Sequence, residues 1–116
     1  MPAPLALPRL AWGDPASERR ALLVHGLGSN GALMWRYGLA LADAGWHAEA
    51  VDLRGHGHAP RALDYTLGAY AADLEVTHPA GGGSWDLVAA HSLGASASTP
   101  PSTSASTTAR SCARVR

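Results

Sequence analysis

A serine flanked by small residues is the position in this sequence with the clearest capacity for chemistry. The segment "AAHSLGA" sets Ser92 two residues after Ala90 and two before Gly94, the small-x-Ser-x-Gly spacing of a nucleophile elbow. A serine in so tight a turn between a strand and a helix adopts a strained backbone conformation, and its second neighbours must be small because the chain passes close to itself. The spacing therefore predicts a serine hydroxyl that projects from the edge of a sheet.

Two backbone amides are candidates to act with this serine. The N–H of Leu93 follows Ser92 directly and joins the positive end of the helix expected there. Upstream, His25 and Gly26 open a loop after an apolar strand, and the N–H of Leu27 in that loop is the second candidate. Paired amides of this kind bind the negative charge that develops on a carbonyl oxygen during acyl transfer.

Four apolar runs are expected to be strands that bring these residues together. They are residues 5–12, 21–25, 47–53 and 85–91, the first of them at an edge of the sheet or in a hairpin. Helical patterns lie between the later runs. Strands that alternate with helices of this length indicate an α/β fold with a mostly parallel sheet and flanking helices.

Two helices are predicted between the strands, each with a residue that can cap its N-terminus. Asn30 is the expected cap of the first and Thr66 of the second. The apolar face of the first is predicted to contain Leu33, Tyr37, Ala40, Leu41 and Ala44, and that of the second Leu67, Tyr70, Ala71 and Leu74. Asp73 and Glu75 are expected on the solvent face of the second helix.

Three segments, in this order, resemble the N-terminal half of the α/β-hydrolase fold family. They are "VHGLGSN" from Val24, "DLRGHG" from Asp52 and "AHSLGA" from Ala90, and the resemblance covers residues 5–95. It implies that residues 21–25, 47–53 and 85–91 are the third, fourth and fifth strands of the family's sheet. Ser92 would then be the nucleophile that attacks an ester, thioester or amide carbonyl of a small-molecule substrate, without a cofactor or metal.

The resemblance assigns the oxyanion hole to the N–H groups of Leu27 and Leu93. Five neighbours would support the site: His25, Gly26, Ala90, His91 and Gly94. Relatives with epoxide or dehalogenation chemistry generally have Asp at the elbow, and Ser92 argues against those reactions. The substrate itself is not readable from these residues.

The sequence departs from the family pattern after the nucleophile. The family supplies an acid and then a histidine further along the chain, whereas no Asp, Glu or His follows Ser92 here. The last histidine, His91, points its side chain away from that of its neighbour if both lie on a strand. Because loss of triad members costs several powers of ten in rate, we expect the chain to be close to inactive.

The composition changes abruptly after Gly94. We expect residues 1–95 to form the N-terminal portion of an α/β-hydrolase domain and residues 96–116, rich in Ser, Thr, Pro and Ala, to be a disordered tail. Truncation or a frameshift just past the elbow would explain the change, and resequencing the gene tests it. The strand before Ser92 would then be an unprotected sheet edge, open to self-association.

Two other functions remain open. Gly26, Gly28 and Gly31 spell G-x-G-x-x-G, and Asp52 follows about 20 residues on at the end of the next strand, which is the pattern of a nicotinamide dinucleotide-binding fragment. That interpretation leaves the elbow at Ser92 unexplained. The chain is alternatively a non-catalytic fragment that binds a partner.

Charge and composition exclude several classes of partner. Nine basic residues balance nine acidic ones, and no basic run predicts binding to nucleic acid or to an anionic membrane. The single cysteine, Cys112, cannot form an internal disulfide, and His56 and His58 alone are a weak metal signal. The N-terminus has no signal-peptide pattern, so a soluble cytoplasmic protein is expected.

Overall fold

A five-stranded mixed sheet forms the centre of the fold. The computed structural model describes residues 3–98 and the backbone of residues 111–113. The strands are β1 (Arg9–Trp12), β2 (Arg20–Val24), β3 (His47–Val51), β4 (Leu87–Ala90) and β5 (Ser111–Ala113), in the spatial order β1-β3-β2-β4-β5. β3, β2 and β4 are parallel, while β1 and β5 pair antiparallel on either side. The predicted α/β fold with a mostly parallel sheet is confirmed.

Both predicted helix caps are present. A 3-10 turn (Gly31–Met34) leads into α1 (Trp35–Asp43), and α2 (Leu67–Glu75) and α3 (Leu93–Ser98) follow in chain order. The side-chain oxygens of Asn30 and Thr66 accept hydrogen bonds from N–H groups three residues on, each at 3.2 Å. No helix in the described ranges is long and apolar enough to cross a membrane.

The two faces of the sheet carry separate apolar layers because strand side chains alternate in direction. One layer packs on α1 and comprises Ala21, Leu23, Met34, Ala48 and Ala50, with Trp12 and Leu41 beside them. The other packs on α2 and α3 and comprises Leu22, Val24, Val51, Tyr70, Val88, Ala95 and Ala97, among others. The connection from β2 to β3, through α1, therefore crosses one face of the sheet. The connection from β3 to β4, through α2, crosses the other face.

The buried face of α1 differs from the predicted one. Leu33 and Tyr37 are exposed, whereas Met34 and Gly38 are buried, and a Cβ at Gly38 would collide with the indole ring of Trp12. The spacing of apolar residues predicts one regular helix for this segment. Its first turn is 3-10, which winds with about three residues per turn and so rotates the face that meets the sheet.

The environment of Asp73 also differs from the predicted one. Glu75 is exposed as expected, but Asp73 is fully buried and forms an ion pair with Arg54, whose Nε lies 2.7 Å from Asp73 Oδ2. On the same helix, the predicted apolar residue Leu67 is half exposed, and Ala69 is buried in the core. A cation from the loop after β3 thus replaces solvent as the partner of Asp73.

The segment after the elbow is more ordered at its start than the sequence predicts. α3 continues to Ser98, past the expected boundary at residue 95, and β5 pairs with the outer side of β4. The expectation that β4 is an unprotected edge is therefore wrong. Residues 99–110 and 114–116 lie outside the described part of the chain, and the disorder predicted for them stays a prediction.

Candidate active site

The predicted functional residues lie at the carboxyl ends of the parallel strands. β2 and β4 are adjacent parallel strands, with Val24 opposite Ala90, so their carboxyl ends meet. From β2 the chain crosses to β3 on one side, and from β3 it returns to β4 on the other. Such a reversal of strand order opens a crevice beyond the carboxyl ends, where α/β proteins bind their ligands.

Ser92 stands in the turn between β4 and α3 with a strained backbone. Its φ of 54° is in the left-handed region, and it is the one non-glycine residue with positive φ in the described part of the chain. The turn is closed by a hydrogen bond from the Gly94 N–H to the His91 carbonyl at 3.0 Å. Strain of this kind persists only where the surrounding structure enforces it, and it is typical of functional sites.

Gly94 shows what enforces the turn. A Cβ at this position would lie 2.5 Å from the His25 carbonyl oxygen and 2.7 Å from that of Val24. The backbone of α3 therefore rests directly on the end of β2. Ala90, the other small residue of the pattern, is 5% exposed and lies in the apolar layer under α3. The close chain passage predicted from the sequence is present at Gly94.

The loop after β2 contacts the turn at Ser92 through Gly26. A Cβ on Gly26 would be 3.1 Å from both Ser92 Cβ and His91 Cδ2. The structure thus brings together the two segments that carry Leu27 and Leu93. Within the described residues, no hydrogen bond uses the N–H of either leucine, and the Leu27 side chain is exposed. Both amides stay predictions as oxyanion donors.

His25 is fully buried beneath this loop with both ring nitrogens engaged. Its Nε2 accepts the Leu53 N–H at 3.0 Å, and its Nδ1 lies 2.7 Å from the Gly26 carbonyl oxygen. Burial lowers the pKa of His25 below its ordinary value of 6.5; nearby His56 lowers it further, while the Gly26 hydrogen bond and Asp52 act in the opposite direction. His25 is therefore a neutral imidazole without a nitrogen available to accept the proton of Ser92.

Acidification is expected to destabilise the fold through His25. Above pH 6.5, its ordinary pKa, the imidazole is neutral in the folded and the unfolded chain. Below that pH the unfolded chain binds a proton that the folded chain accepts only at lower pH, so the free energy of unfolding decreases. Urea titrations at about pH 7.5 and about pH 5.5 measure the decrease. His25→Gln should reduce it, and His78→Asn, at an exposed position, should not; equal pH dependence in both variants would contradict the assignment.

The loop after β3 holds the loop after β2 in place, which the sequence analysis missed. Asp52 accepts the Gly31 N–H at 2.7 Å through Oδ1 and the His58 N–H at 2.9 Å through Oδ2. His56 Nε2 accepts the Gly28 N–H at 3.1 Å. The signal available in the sequence was the polar run "DLRGHG" directly after a buried strand.

These contacts bear on the alternative interpretations. A ribose-binding acid needs a carboxylate with oxygens free for the sugar hydroxyls, but both oxygens of Asp52 are used by backbone amides. His56 likewise uses Nε2 for Gly28 and places Nδ1 3.0 Å from the Arg54 carbonyl oxygen. The arrangement gives the dinucleotide and metal interpretations no support.

The central strands are parallel, and a positive-φ serine between strand and helix faces a glycine loop on the neighbouring strand. This is the architecture of the α/β class of hydrolytic enzymes. The model of the alpha/beta hydrolase family matches residues 21–115. The chain belongs to this family. A comparison with curated protein sequences gave no match.

Solved structures of hydrolases are similar to the chain. An epoxide hydrolase from an endophytic Streptomyces is 28% identical with a TM-score of 0.65, over 78% of this chain and 29% of that one. The thioesterase domain from the curacin biosynthetic pathway is 26% identical with a TM-score of 0.62, over 75% and 33%. A marine microorganism esterase is 28% identical with a TM-score of 0.56, over 61% and 26%. The chain thus spans about a third or less of the length of these structures.

Proposed function

We propose that this chain carries the nucleophile and oxyanion part of a serine hydrolase that acts on an ester, thioester or amide through an acyl-enzyme. The observation that carries the proposal is the strained Ser92, with φ 54°, at a turn in contact with the Gly26 loop. The esterase and thioesterase among the similar structures support acyl chemistry. A serine rather than an aspartate at this position favours it over epoxide opening.

The proposed reaction proceeds in two steps. Ser92 Oγ attacks the substrate carbonyl carbon, and the N–H groups of Leu27 and Leu93 stabilise the negative oxygen of the tetrahedral intermediate. Collapse of this intermediate expels the alcohol, thiol or amine, which leaves with a proton, and forms the serine ester. Water then attacks that ester and releases the acid.

Proton transfer is the step of this reaction that the chain supports least. His25 and His56 use both ring nitrogens in contacts with the backbone. No Asp, Glu or His follows Ser92 in the 116 residues. We therefore propose that the chain as it stands is an incomplete hydrolase in which Ser92 reacts slowly, because a serine hydroxyl is a weak nucleophile without an adjacent base.

Covalent labelling of Ser92 tests the proposal. A fluorophosphonate is expected to add once to the folded chain, slowly, and peptide mass spectrometry should place the adduct on Ser92. Ser92→Ala should abolish the adduct, and Ser84→Ala, at an exposed loop serine, should leave it. An adduct that survives in Ser92→Ala refutes the assignment of the nucleophile. A folded chain without any adduct favours the non-catalytic binding fragment.

A further inference from the structure

We propose that His25 is a positioning residue that sets the direction of the Leu27 amide, one of the two oxyanion donors in the proposed function, on which this inference rests. From the sequence, His25 is expected only to support the site. Its contacts in the structure are more specific than packing, since each ring nitrogen meets a particular backbone group. The group that matters is the carbonyl of Gly26.

The Gly26 carbonyl and the Leu27 N–H belong to the same peptide unit. That unit is planar and trans, so its C=O and N–H point in opposite directions. The Gly26 oxygen accepts the His25 Nδ1–H at 2.7 Å and the Ser29 N–H at 3.1 Å. The buried His25 holds this oxygen on the interior side of the peptide unit. The N–H of Leu27, on the opposite side of the same unit, must therefore point away from the interior.

The tautomer of His25 follows from its partners. The Leu53 N–H can only donate, so the Nε2 atom that it contacts carries no proton. A carbonyl oxygen can only accept, so the Nδ1 atom that faces Gly26 carries the proton. A neutral imidazole with Nδ1–H is the one form that satisfies both contacts of this buried ring.

His56 holds the chain on the other side of Leu27. Its Nε2 accepts the Gly28 N–H at 3.1 Å, and its ring lies 5.1 Å from the His25 ring, centroid to centroid. The peptide unit before Leu27 is therefore hydrogen-bonded to His25, and the unit after Leu27 is hydrogen-bonded to His56. An unanchored glycine-rich turn could rotate these units freely, since Gly26 and Gly28 lack the Cβ that restricts rotation.

Two substitutions separate the contacts of His25. The amide nitrogen of asparagine reaches the place of Nδ1, so His25→Asn preserves a donor to Gly26 and loses the partner of Leu53. Glutamine reaches the place of Nε2, so His25→Gln preserves a partner for Leu53 and loses the donor to Gly26. His78→Asn, on the surface, is the matched control.

The fluorophosphonate labelling rate of Ser92, corrected for the folded fraction, is the first measurement. His25→Gln should lower the rate on the order of 10²-fold, the effect of losing one oxyanion donor, while His25→Asn should retain most of it. Equal losses in both variants would overturn the proposal, since they would indicate a packing role. The folded fraction comes from near-ultraviolet circular dichroism.

Nitrogen NMR of the wild-type imidazoles is the second measurement, and it requires neither a variant nor activity. The proposal expects the His25 proton on Nδ1, with a hydrogen-bond coupling between Nε2 and the Leu53 amide. A proton on Nε2 would overturn it whatever the labelling shows. If Ser92 is not labelled in the wild type, the proposed function fails, and this spectrum still decides whether His25 anchors the Gly26–Leu27 peptide.

Discussion

Replacement of Gly94 by alanine is expected to lower the free energy of unfolding by about 3 kcal/mol, the upper end of the usual cost of overpacking. The added Cβ would lie 2.5 Å from the His25 carbonyl oxygen, 2.7 Å from the Val24 oxygen and 2.8 Å from Val24 Cγ1. Two of these three contacts are with backbone carbonyls, one in the last residue of β2 and one in the residue that follows it. This backbone cannot move without breaking the sheet. Urea denaturation followed by tryptophan fluorescence measures the change.

Gly68 provides the matched control. It lies in α2, and among the described residues only the Thr66 hydroxyl, at 4.0 Å, approaches the position of its Cβ. Gly68→Ala should leave the protein as stable as before or stabilise it by a few tenths of a kcal/mol, because alanine favours a helix more than glycine does. Similar losses in the two variants would mean that α3 does not rest on β2 as the structure shows.

Replacement of Arg54 by methionine is expected to lower the free energy of unfolding by about 3–5 kcal/mol, the usual cost of removing one partner of a buried ion pair. The Arg54 guanidinium binds Asp73 through two contacts, Nε to Oδ2 at 2.7 Å and NH2 to Oδ1 at 2.8 Å. Its NH1 also donates to the Asp64 carbonyl. Hydrogen bonding to Asp73 raises the pKa of Arg54, so the guanidinium stays charged at every working pH.

Methionine keeps much of the volume of the arginine stem, so the loss reports mainly on the carboxylate of Asp73, which is fully buried and still accepts the Leu5 N–H at 2.7 Å. Arg36→Met is the control, since Arg36 is exposed and lies over the ring of Trp35. We expect a change below about 1 kcal/mol there. If Arg54→Met were equally mild, the buried pair would not hold the loop after β3 against α2.

The tight turn at Ser92 could be predicted from the sequence because its requirements are local. Ser92 needs a small residue within two positions on each side, and those residues are visible in a short string. The same holds for the caps, since Asn30 and Thr66 bond to amides only three residues away. The order of strands and helices also follows from short apolar runs separated by polar loops and glycines.

The face of α1 and the environment of Asp73 could not be predicted in this way. A 3-10 first turn rotates the helix, and the ring of Trp12 selects Gly38 as its contact. In the sequence Asp73 is a polar helix residue like Glu75, and only the fold brings Arg54, 19 positions earlier, into contact with it. Helical periodicity reports which residues share a face, but it does not show which partner will cover that face.

Sequence spacing was sufficient to identify the class of fold and the position of the strained turn at Ser92, because both depend on backbone geometry within a few residues. The position of the Leu27 segment depends instead on contacts between the loop after β2 and the loop after β3. Leu53 and His56 each lie 28 positions from the residue they meet in the loop after β2, His25 and Gly28 respectively. These donors and acceptors are far apart in the chain, and they meet because β2 and β3 are parallel neighbours. Parallel pairing brings the carboxyl ends of both strands to the same end of the sheet.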